Sequence, residues 1–195
     1  MRITKEKAEE NRLALVKAAG KLFRERGIDG VGVAEISKEA GLTHGALYAH
    51  FPSKDALAAE AFGHNSDRAA IIRERIMVDG KPNFDAFLDF YLSTEQRDNP
   101  AHSCAMAASA SEIGRQDVSI SLRYAESFQR MTTFLEGHIA ETKPDADARA
   151  EALAIGAALI GGVSAARAVA KANPALSDEI LRSTRRVLDD LSKAK

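Results

Sequence analysis

The segment from residue 33 to residue 54, VAEISKEAGLTHGALYAHFPSK, constrains the fold of this chain more than any other. Val33, Ile36 and Ala40 recur at the spacing of one helical face, which predicts a short amphipathic helix. Gly41 follows at the point where a helix end favours the left-handed conformation. The segment therefore begins as a helix followed by a tight turn.

A second short helix is expected directly after this turn. Thr43 is suited to its N-cap, since the hydroxyl can accept a hydrogen bond from a free backbone N–H of the next turn. Leu47 and Phe51 supply the buried face of this helix, Pro52 ends it, and Ser53 caps the helix that follows. The order is that of a helix-turn-helix motif, whose second helix is the recognition helix.

The residues outside the buried face of the second helix are Thr43, His44, Gly45, Ala46, Tyr48, Ala49, His50 and Lys54. None of residues 40–54 is acidic, so this surface can approach a polyanion such as double-stranded DNA. One group is expected to hold phosphates: Thr43, Tyr48, His50 and Lys54. Base edges are assigned to His44, Gly45 and Ala49, with Gly45 permitting close approach. Because no Arg, Asn or Gln projects from this helix, water, methyl contacts and DNA shape are expected to carry part of the specificity.

Residues 27–54 closely resemble the DNA-binding signature of TetR-family (TetR/AcrR-type) bacterial transcriptional regulators. The positions that match in order include Ile36, Ala40, Gly41, Thr43, Gly45, Tyr48, His50, Phe51, Ser53 and Lys54. Gly32 departs from the pattern, because the family usually has Ser or Thr there, capping the first helix of the motif and touching a phosphate.

The resemblance implies a ligand-responsive, sequence-specific DNA-binding regulator that acts as a homodimer. Family members are mostly repressors, which a small-molecule or electrophile inducer releases from a palindromic operator. The alternative is a helical homodimer that binds small molecules or other proteins without binding DNA, since helix-turn-helix geometry also occurs in such proteins.

Charge is unevenly distributed along the 195 residues. The chain has net charge −1, but residues 1–26 contain eight Lys or Arg and four acidic residues, which leaves them at +4 and the remainder at −5. This asymmetry is expected if only the first segment meets phosphates, although a solvated helix face explains the same charges.

The composition is that of a soluble globular protein, with 45% hydrophobic and 28% charged residues. A single cysteine excludes an internal disulfide framework and fits a reducing compartment. No signal peptide is recognisable, and the longest apolar run, residues 152–163, is shorter than the ~20 residues of a membrane span. We therefore expect a cytoplasmic protein with no membrane partner.

Enzymatic activity is not expected. The sequence contains no G-x-S-x-G, P-loop, H-E-x-x-H or paired C-x-x-C motif. His102 and Cys104 alone are not sufficient evidence for a catalytic nucleophile and its base. The spacing of His44 and His50 does not align their side chains to bind one metal ion. No catalytic residue, metal site or cofactor is predicted.

An all-α fold is predicted, because prolines separate long helix-permissive segments and no alternating strand pattern of useful length occurs. A three-helix head with the helix-turn-helix is expected over residues 1–52, beginning with a helix at residues 5–26. A larger helical body for ligand binding and dimerisation follows over residues 53–195, and residues 53–63 form the linking helix. Further helices are expected over residues 84–95, 103–113, 119–142, 146–172 and 177–193.

Small residues crowd the segment from residue 154 to residue 166, where another helix can approach closely. By resemblance to the family, the last two helices pair with those of a second copy. The candidate interface residues are Ala157, Gly161, Gly162 and Ala165. The alternative is a helix that packs only within its own chain.

The resemblance also implies a small-molecule pocket in the body, and such pockets are mostly apolar. The candidate lining residues are Phe87, Tyr91, Cys104, Met106, Phe128 and Met131; the alternative is that they are ordinary core residues. Ligand binding would move the fourth helix, spread the two heads and loosen operator binding.

Cys104 lies near a predicted helix start, where backbone N–H groups can stabilise a thiolate. The chain most resembles the TetR subgroup that represses N-ethylmaleimide-reductase operons, in which a cysteine near this place is associated with electrophile or oxidant sensing. The alternative is a small buried apolar residue, the usual role of a free cysteine.

Overall fold

The computed structural model describes residues 4–64 and 74–193, and the predicted all-α fold class is confirmed. The helices are α1 (Lys5–Arg26), α2 (Val33–Glu39), α3 (His44–His50), α4 (Lys54–Gly63), α5 (Phe84–Tyr91), α6 (Thr94–Asp98), α7 (Ala105–Ile113), α8 (Val118–Thr142), α9 (Ala148–Val169) and α10 (Pro174–Lys193), with a 3-10 turn at Pro100–His102.

A two-stranded antiparallel hairpin interrupts the helices. Strand β1 (Met77–Val78) pairs with β2 (Lys81–Pro82), and the two turn residues Asp79 and Gly80 both have positive φ. An Asp-Gly pair with positive φ at both positions is typical of the tightest hairpin turns. The strands are only two residues long, which is too short to produce an alternating pattern in the sequence.

The chain divides into two compact units. Unit 1 comprises residues 1–65 and 100–125, and unit 2 comprises residues 66–99 and 126–195. The boundary expected after residue 52 does not coincide with this division, because α4 and residues 100–125 pack with the first three helices.

Unit 1 is built around α1. Thr4 accepts a hydrogen bond from the N–H of Lys7 at the start of this helix, and Gly27, with φ +78°, ends it. Leu15 and Leu22 lie on the buried face of this helix and are among its least exposed residues. Helices α2, α3, α4 and α7 all pack against α1.

Unit 2 is built on the pairing of α9 with α10. The buried hydroxyl of Ser177 on α10 donates to the carbonyl of Ala166 on α9, at 2.7 Å. Arg167 donates to the carbonyls of Gln96 and Arg97, which fixes α6 to the same pair of helices.

The helices of unit 2 differ in extent from the predictions, and α9 spans Ala148–Val169 where residues 146–172 were expected. The helix expected over residues 84–95 is divided, because Ser93 caps a new helix by accepting a hydrogen bond from the N–H of Gln96. Helix α10 begins at Pro174 rather than at Ser177, since proline is well suited to the first position of a helix.

Helix α9 is the one described helix that is long and apolar enough to cross a membrane by length and composition. The core helices of soluble proteins pass the same test, so this property alone is weak evidence for a membrane span.

Candidate nucleic-acid interface

The turn between α2 and α3 has the predicted geometry. Gly41 has φ +69°, the left-handed conformation expected at this position. The N–H of Leu42 donates to the carbonyl of Ser37 at 2.8 Å, which closes the end of α2. Leu47 and Phe51 are both buried, which confirms the predicted inner face of α3.

The opposite side of α3 faces outward. Tyr48 is 55% exposed, an unusually high value for a large aromatic side chain. His44 lies next to it, with the two rings edge to face and their centroids 6.1 Å apart. The other predicted DNA-binding residues are exposed or half-buried: Thr43, Gly45, Ala46, Ala49, His50 and Lys54. The structure thus places all eight on α3 or directly beside it.

Two predicted caps have different outcomes. Ser53 accepts a hydrogen bond from the N–H of Ala56 and caps α4, as expected. Thr43 occupies the N-cap position of α3, but its hydroxyl makes no capping hydrogen bond, so the predicted cap is wrong in this detail. A hydroxyl that does not cap its own helix is available to a partner such as a phosphate.

Gly45 has no structural reason to be glycine. It lies within α3 without positive φ, and a Cβ built at this position has nothing within 4 Å. Glycine in a helix is less stable than alanine by roughly 1 kcal/mol. The free space at this position therefore favours contact with something outside the chain.

Gly32 is the N-cap of α2 and makes no side-chain hydrogen bond. Its φ of −88° suits any residue, and a Cβ built here also meets nothing within 4 Å. The departure from the family pattern at this position removes a cap without changing the backbone.

Several cations of the head are paired within the chain. Lys21 lies 2.6 Å from Glu39, and Arg26 lies 2.7 Å from Glu35, which links α1 to α2. The hydrogen bond between Lys21 and Glu39 raises the pKa of the lysine and lowers that of the glutamate. The net charge of the first 26 residues therefore overstates the positive charge that is available to DNA. The exposed Lys38 at the end of α2 is a further basic residue near the turn that motif matching did not single out.

The predicted pocket residues are distributed over both units. Phe87 and Tyr91 on α5 lie together, with ring centroids 5.8 Å apart. Phe128 and Met131 of α8 both approach Gly156, where an added Cβ would lie 3.3 and 3.2 Å from them. Cys104 and Met106 belong to unit 1, and both are buried.

A cavity of about 20 Å³ lies within unit 1 between α1, α4 and α7, which is room for one water molecule. None of the six predicted pocket residues lines it. Cys104 is the N-cap residue of α7 but its side chain makes no capping hydrogen bond, and it is 6% exposed.

The predicted dimer residues separate into two groups. Ala157, Gly161 and Ala165 are exposed on one face of α9. Gly162 is buried, and an added Cβ would lie 3.1 Å from Thr184 of the same unit, so packing within the chain accounts for this glycine. Gly162 therefore does not lie on the exposed face.

Further exposed apolar side chains lie on α9 and α10. Leu153 lies on α9 and is 37% exposed, and three residues of α10 are exposed to a similar or greater degree: Leu176, Val187 and Leu191. Exposed apolar side chains that recur along two paired helices are typical of a protein–protein contact.

Among residues 4–64 and 74–193, no group of three or more His, Cys, Asp or Glu side chains is arranged to hold a metal ion.

A tightly turned helix pair with an outward, acid-free second helix defines a helix-turn-helix protein. Residues 15–61 match the family model described as bacterial regulatory proteins, tetR family. Unit 1 therefore contains a TetR-family N-terminal domain.

Relatives with this domain include the HTH-type transcriptional regulator AcrR of Shigella flexneri, 41% identical over 59 residues, which are 30% of this chain and 27% of AcrR. The HTH-type transcriptional repressor BepR of Brucella suis is 40% identical over 78 residues, which are 40% of this chain and 35% of BepR. The chain thus spans only about a quarter to a third of these curated relatives.

Solved structures share the fold over almost the whole chain. A TetR transcriptional regulator from Chloroflexus aurantiacus has a TM-score of 0.75 at 22% identity, covering 97% of this chain and 98% of its own. NemR of E. coli in its reduced form has a TM-score of 0.73 at 17% identity, covering 92% and 95%. At sequence identities this low, the structural likeness shows a common fold only.

Proposed function

We propose that the protein is a ligand-responsive, sequence-specific DNA-binding transcriptional regulator, and that it acts as a repressor released from a palindromic operator by a small-molecule or electrophile inducer. The observation that carries this proposal is the outer side of α3, which is exposed, free of acidic residues and open at Gly45. A cytoplasmic location fits access to the chromosome.

The chemistry of α3 divides its residues into two roles. The hydroxyl groups of Thr43 and Tyr48 and the ammonium group of Lys54 suit phosphate oxygens, which position a protein on DNA. The small surfaces of Gly45 and Ala49 suit apolar contact with base edges such as the thymine methyl group. Affinity and specificity would then be carried by different residues of α3 and of the adjoining start of α4.

The same function favours a homodimer that uses the exposed face of α9 with α10. A palindromic operator presents two half-sites about one helical turn, ~34 Å, apart, and a monomer can occupy only one of them. The small residues Ala157, Gly161 and Ala165 permit close approach of a second helix, and the exposed Leu153, about one helical turn before Ala157, supplies apolar area.

The apolar side chains of the body support an apolar small molecule as the inducer. The clusters of Phe87 with Tyr91 and of Phe128 with Met131 are the candidate walls of a pocket for an apolar ligand. Membership of the N-ethylmaleimide-reductase repressor subgroup would instead assign electrophile sensing to Cys104. If modification of Cys104 alone leaves operator affinity unchanged, the electrophile route is excluded.

Charge replacement on α4 tests the DNA-binding proposal. Lys54→Gln should weaken binding to specific and scrambled DNA alike and reduce the slope of log K against log[salt] by about 1 for each head. Lys81→Gln, which removes an exposed cation from the β hairpin, is the matched control and should change neither. Equal DNA binding by wild type and Lys54→Gln at all salt concentrations would refute the phosphate role of Lys54.

The alternative function is a helical homodimer without DNA binding. The exposed apolar face of α9 and α10 favours it as much as it favours a regulator. Dimerisation with no salt-dependent DNA binding would identify this alternative.

A further inference from the structure

Glu112 on α7 contacts the turn that precedes the helix-turn-helix. Both carboxylate oxygens of Glu112 accept a hydrogen bond from the backbone N–H of Ile28, each at 3.2 Å. The same carboxylate lies against Gly27, where an added Cβ would be only 2.7 Å from Oε2. Glu112 therefore contacts the two residues at which the chain leaves α1.

Two neighbouring hydrogen bonds hold the same part of the chain. Gln116 donates through Nε2 to Asp29 at 3.0 Å, and Arg24 donates through Nε to the carbonyl of Ala101 at 2.7 Å. All of these residues belong to unit 1. The segment 101–116 thus contacts the end of α1 and the α1–α2 turn (residues 27–32) at three points, with Glu112 in the middle.

The charges around Glu112 do not form a simple ion pair. Burial is the main influence and raises its pKa above the ordinary value, and the nearby carboxylate of Asp29 adds to this. The hydrogen bond from Ile28 and the cations Arg115 and Lys54 act in the opposite direction but do not compensate for it. Arg24 and Glu112 both line the small cavity between α1, α4 and α7.

The direction of this shift has a consequence for folding. A carboxyl with a raised pKa in the folded chain adds stability below its ordinary pKa, and this contribution is lost as the pH rises through the raised value. Burial therefore disfavours the ionised Glu112 carboxylate in the folded chain at neutral pH.

We propose that Glu112 is a positioning residue for DNA binding, whose carboxylate fixes the α1–α2 turn and thereby the pose of α2 and α3. A carboxylate offers two charged acceptor oxygens to the N–H of Ile28, whereas glutamine offers one neutral oxygen, and charge-assisted hydrogen bonds are roughly twice as strong. This inference rests on the proposed function of α3.

The test compares Glu112→Gln with the matched control Glu95→Gln, in which the replaced carboxylate is exposed and lies 3.4 Å from Arg75 in unit 2. At pH 7.5, Glu112→Gln should bind operator DNA about ten-fold more weakly than wild type, which is about 1.4 kcal/mol, and the melting temperature reports any accompanying change in stability. Glu95→Gln should match wild type in both assays. A lower melting temperature with unchanged operator affinity would overturn the proposal in favour of a purely structural role.

The pH profile supplies a readout that a structural role would not move. The ratio of wild-type to Glu112→Gln operator affinity should fall towards one as the pH is lowered, because protonation makes the wild-type side chain neutral too. Because both proteins are measured at the same pH, effects of pH on the rest of the chain and on the DNA cancel in the ratio. A ratio that does not change with pH would count against the role of the charge.

Hydrogen exchange separates this inference from DNA binding itself. In the free protein, amides of residues 27–33 should exchange faster in Glu112→Gln than in wild type or Glu95→Gln. If no DNA binds to any variant, the proposed function fails. Faster exchange in Glu112→Gln would even then show that Glu112 stabilises the α1–α2 turn. Unchanged exchange in Glu112→Gln would overturn it whatever the DNA result.

Discussion

Replacing Gly45 with alanine should strengthen folding and weaken DNA binding at the same time. The added methyl group has no neighbour within 4 Å, and the backbone at Gly45 does not have positive φ, so the fold accommodates it. Because glycine is less stable than alanine in a helix, the gain should be about 0.5–1 kcal/mol. For a chain of this size, this corresponds to an increase in Tm of roughly 1–4 °C.

The effect on DNA binding has the opposite sign. In the proposed complex the methyl group of Gly45→Ala occupies space that a base edge or phosphate needs. A loss of about ten-fold in operator affinity, about 1.4 kcal/mol, is expected if the outer side of α3 meets DNA closely. Thermal unfolding and fluorescence anisotropy with an operator duplex measure the two effects on one protein sample.

Gly41→Ala is the matched control, since this glycine has φ +69° in the turn itself. An L-residue in this conformation costs about 1–2 kcal/mol, so the control should lose stability where Gly45→Ala gains it. Normal operator affinity in a stabilised Gly45→Ala variant would refute the reasoning that Gly45 permits close approach.

Three further substitutions test other parts of the account. Gly32→Ser should restore a cap on α2 and a phosphate contact, raising Tm slightly and increasing operator affinity in the anisotropy assay, whereas an unchanged affinity would exclude the phosphate contact. Ala157→Glu should convert the proposed dimer to monomer in analytical ultracentrifugation, while Thr133→Glu, an exposed control on α8, should not; a dimeric Ala157→Glu variant would exclude this face of α9. The ring of His138 stacks on that of Phe84, with the centroids 4.4 Å apart, and burial lowers the pKa of His138. The neutral His138 therefore adds stability above the ordinary pKa near 6.5, and this contribution is lost as the pH falls through the lowered value. His138→Gln should therefore reduce the loss of Tm between pH 7.5 and pH 5, and an unchanged pH dependence of Tm would contradict this.

The helix-turn-helix could be predicted because its determinants are local. The left-handed turn at Gly41, the buried face of Leu47 with Phe51 and the cap at Ser53 each depend on residues a few positions apart. Helix α1 was predictable for the same reason, since its apolar face and its terminal Gly27 both lie in one continuous segment.

Features that depend on distant residues could not be predicted in this way. Gly161 and Gly162 are adjacent residues of the same type, yet Gly161 is exposed to solvent and Gly162 packs on Thr184. The pairing of α9 with α10 decides which of the two is buried. The contact of Glu112 with Ile28 joins positions 84 residues apart and has no local signal. The net charge of residues 1–26 could not show how much positive charge is available to DNA for a similar reason. Lys21 and Arg26 of α1 pair with glutamates of a different helix, α2.

Binding of the purified protein to a fluorescent DNA fragment from upstream of its own gene, at several salt concentrations and against scrambled competitor, tests the central claim most directly. The account predicts specific binding by a dimer, with a slope of log K against log[salt] of about −2 or steeper, since Lys54 of each head neutralises at least one phosphate. Binding that is independent of salt, or equal for the fragment and the scrambled competitor, would contradict it.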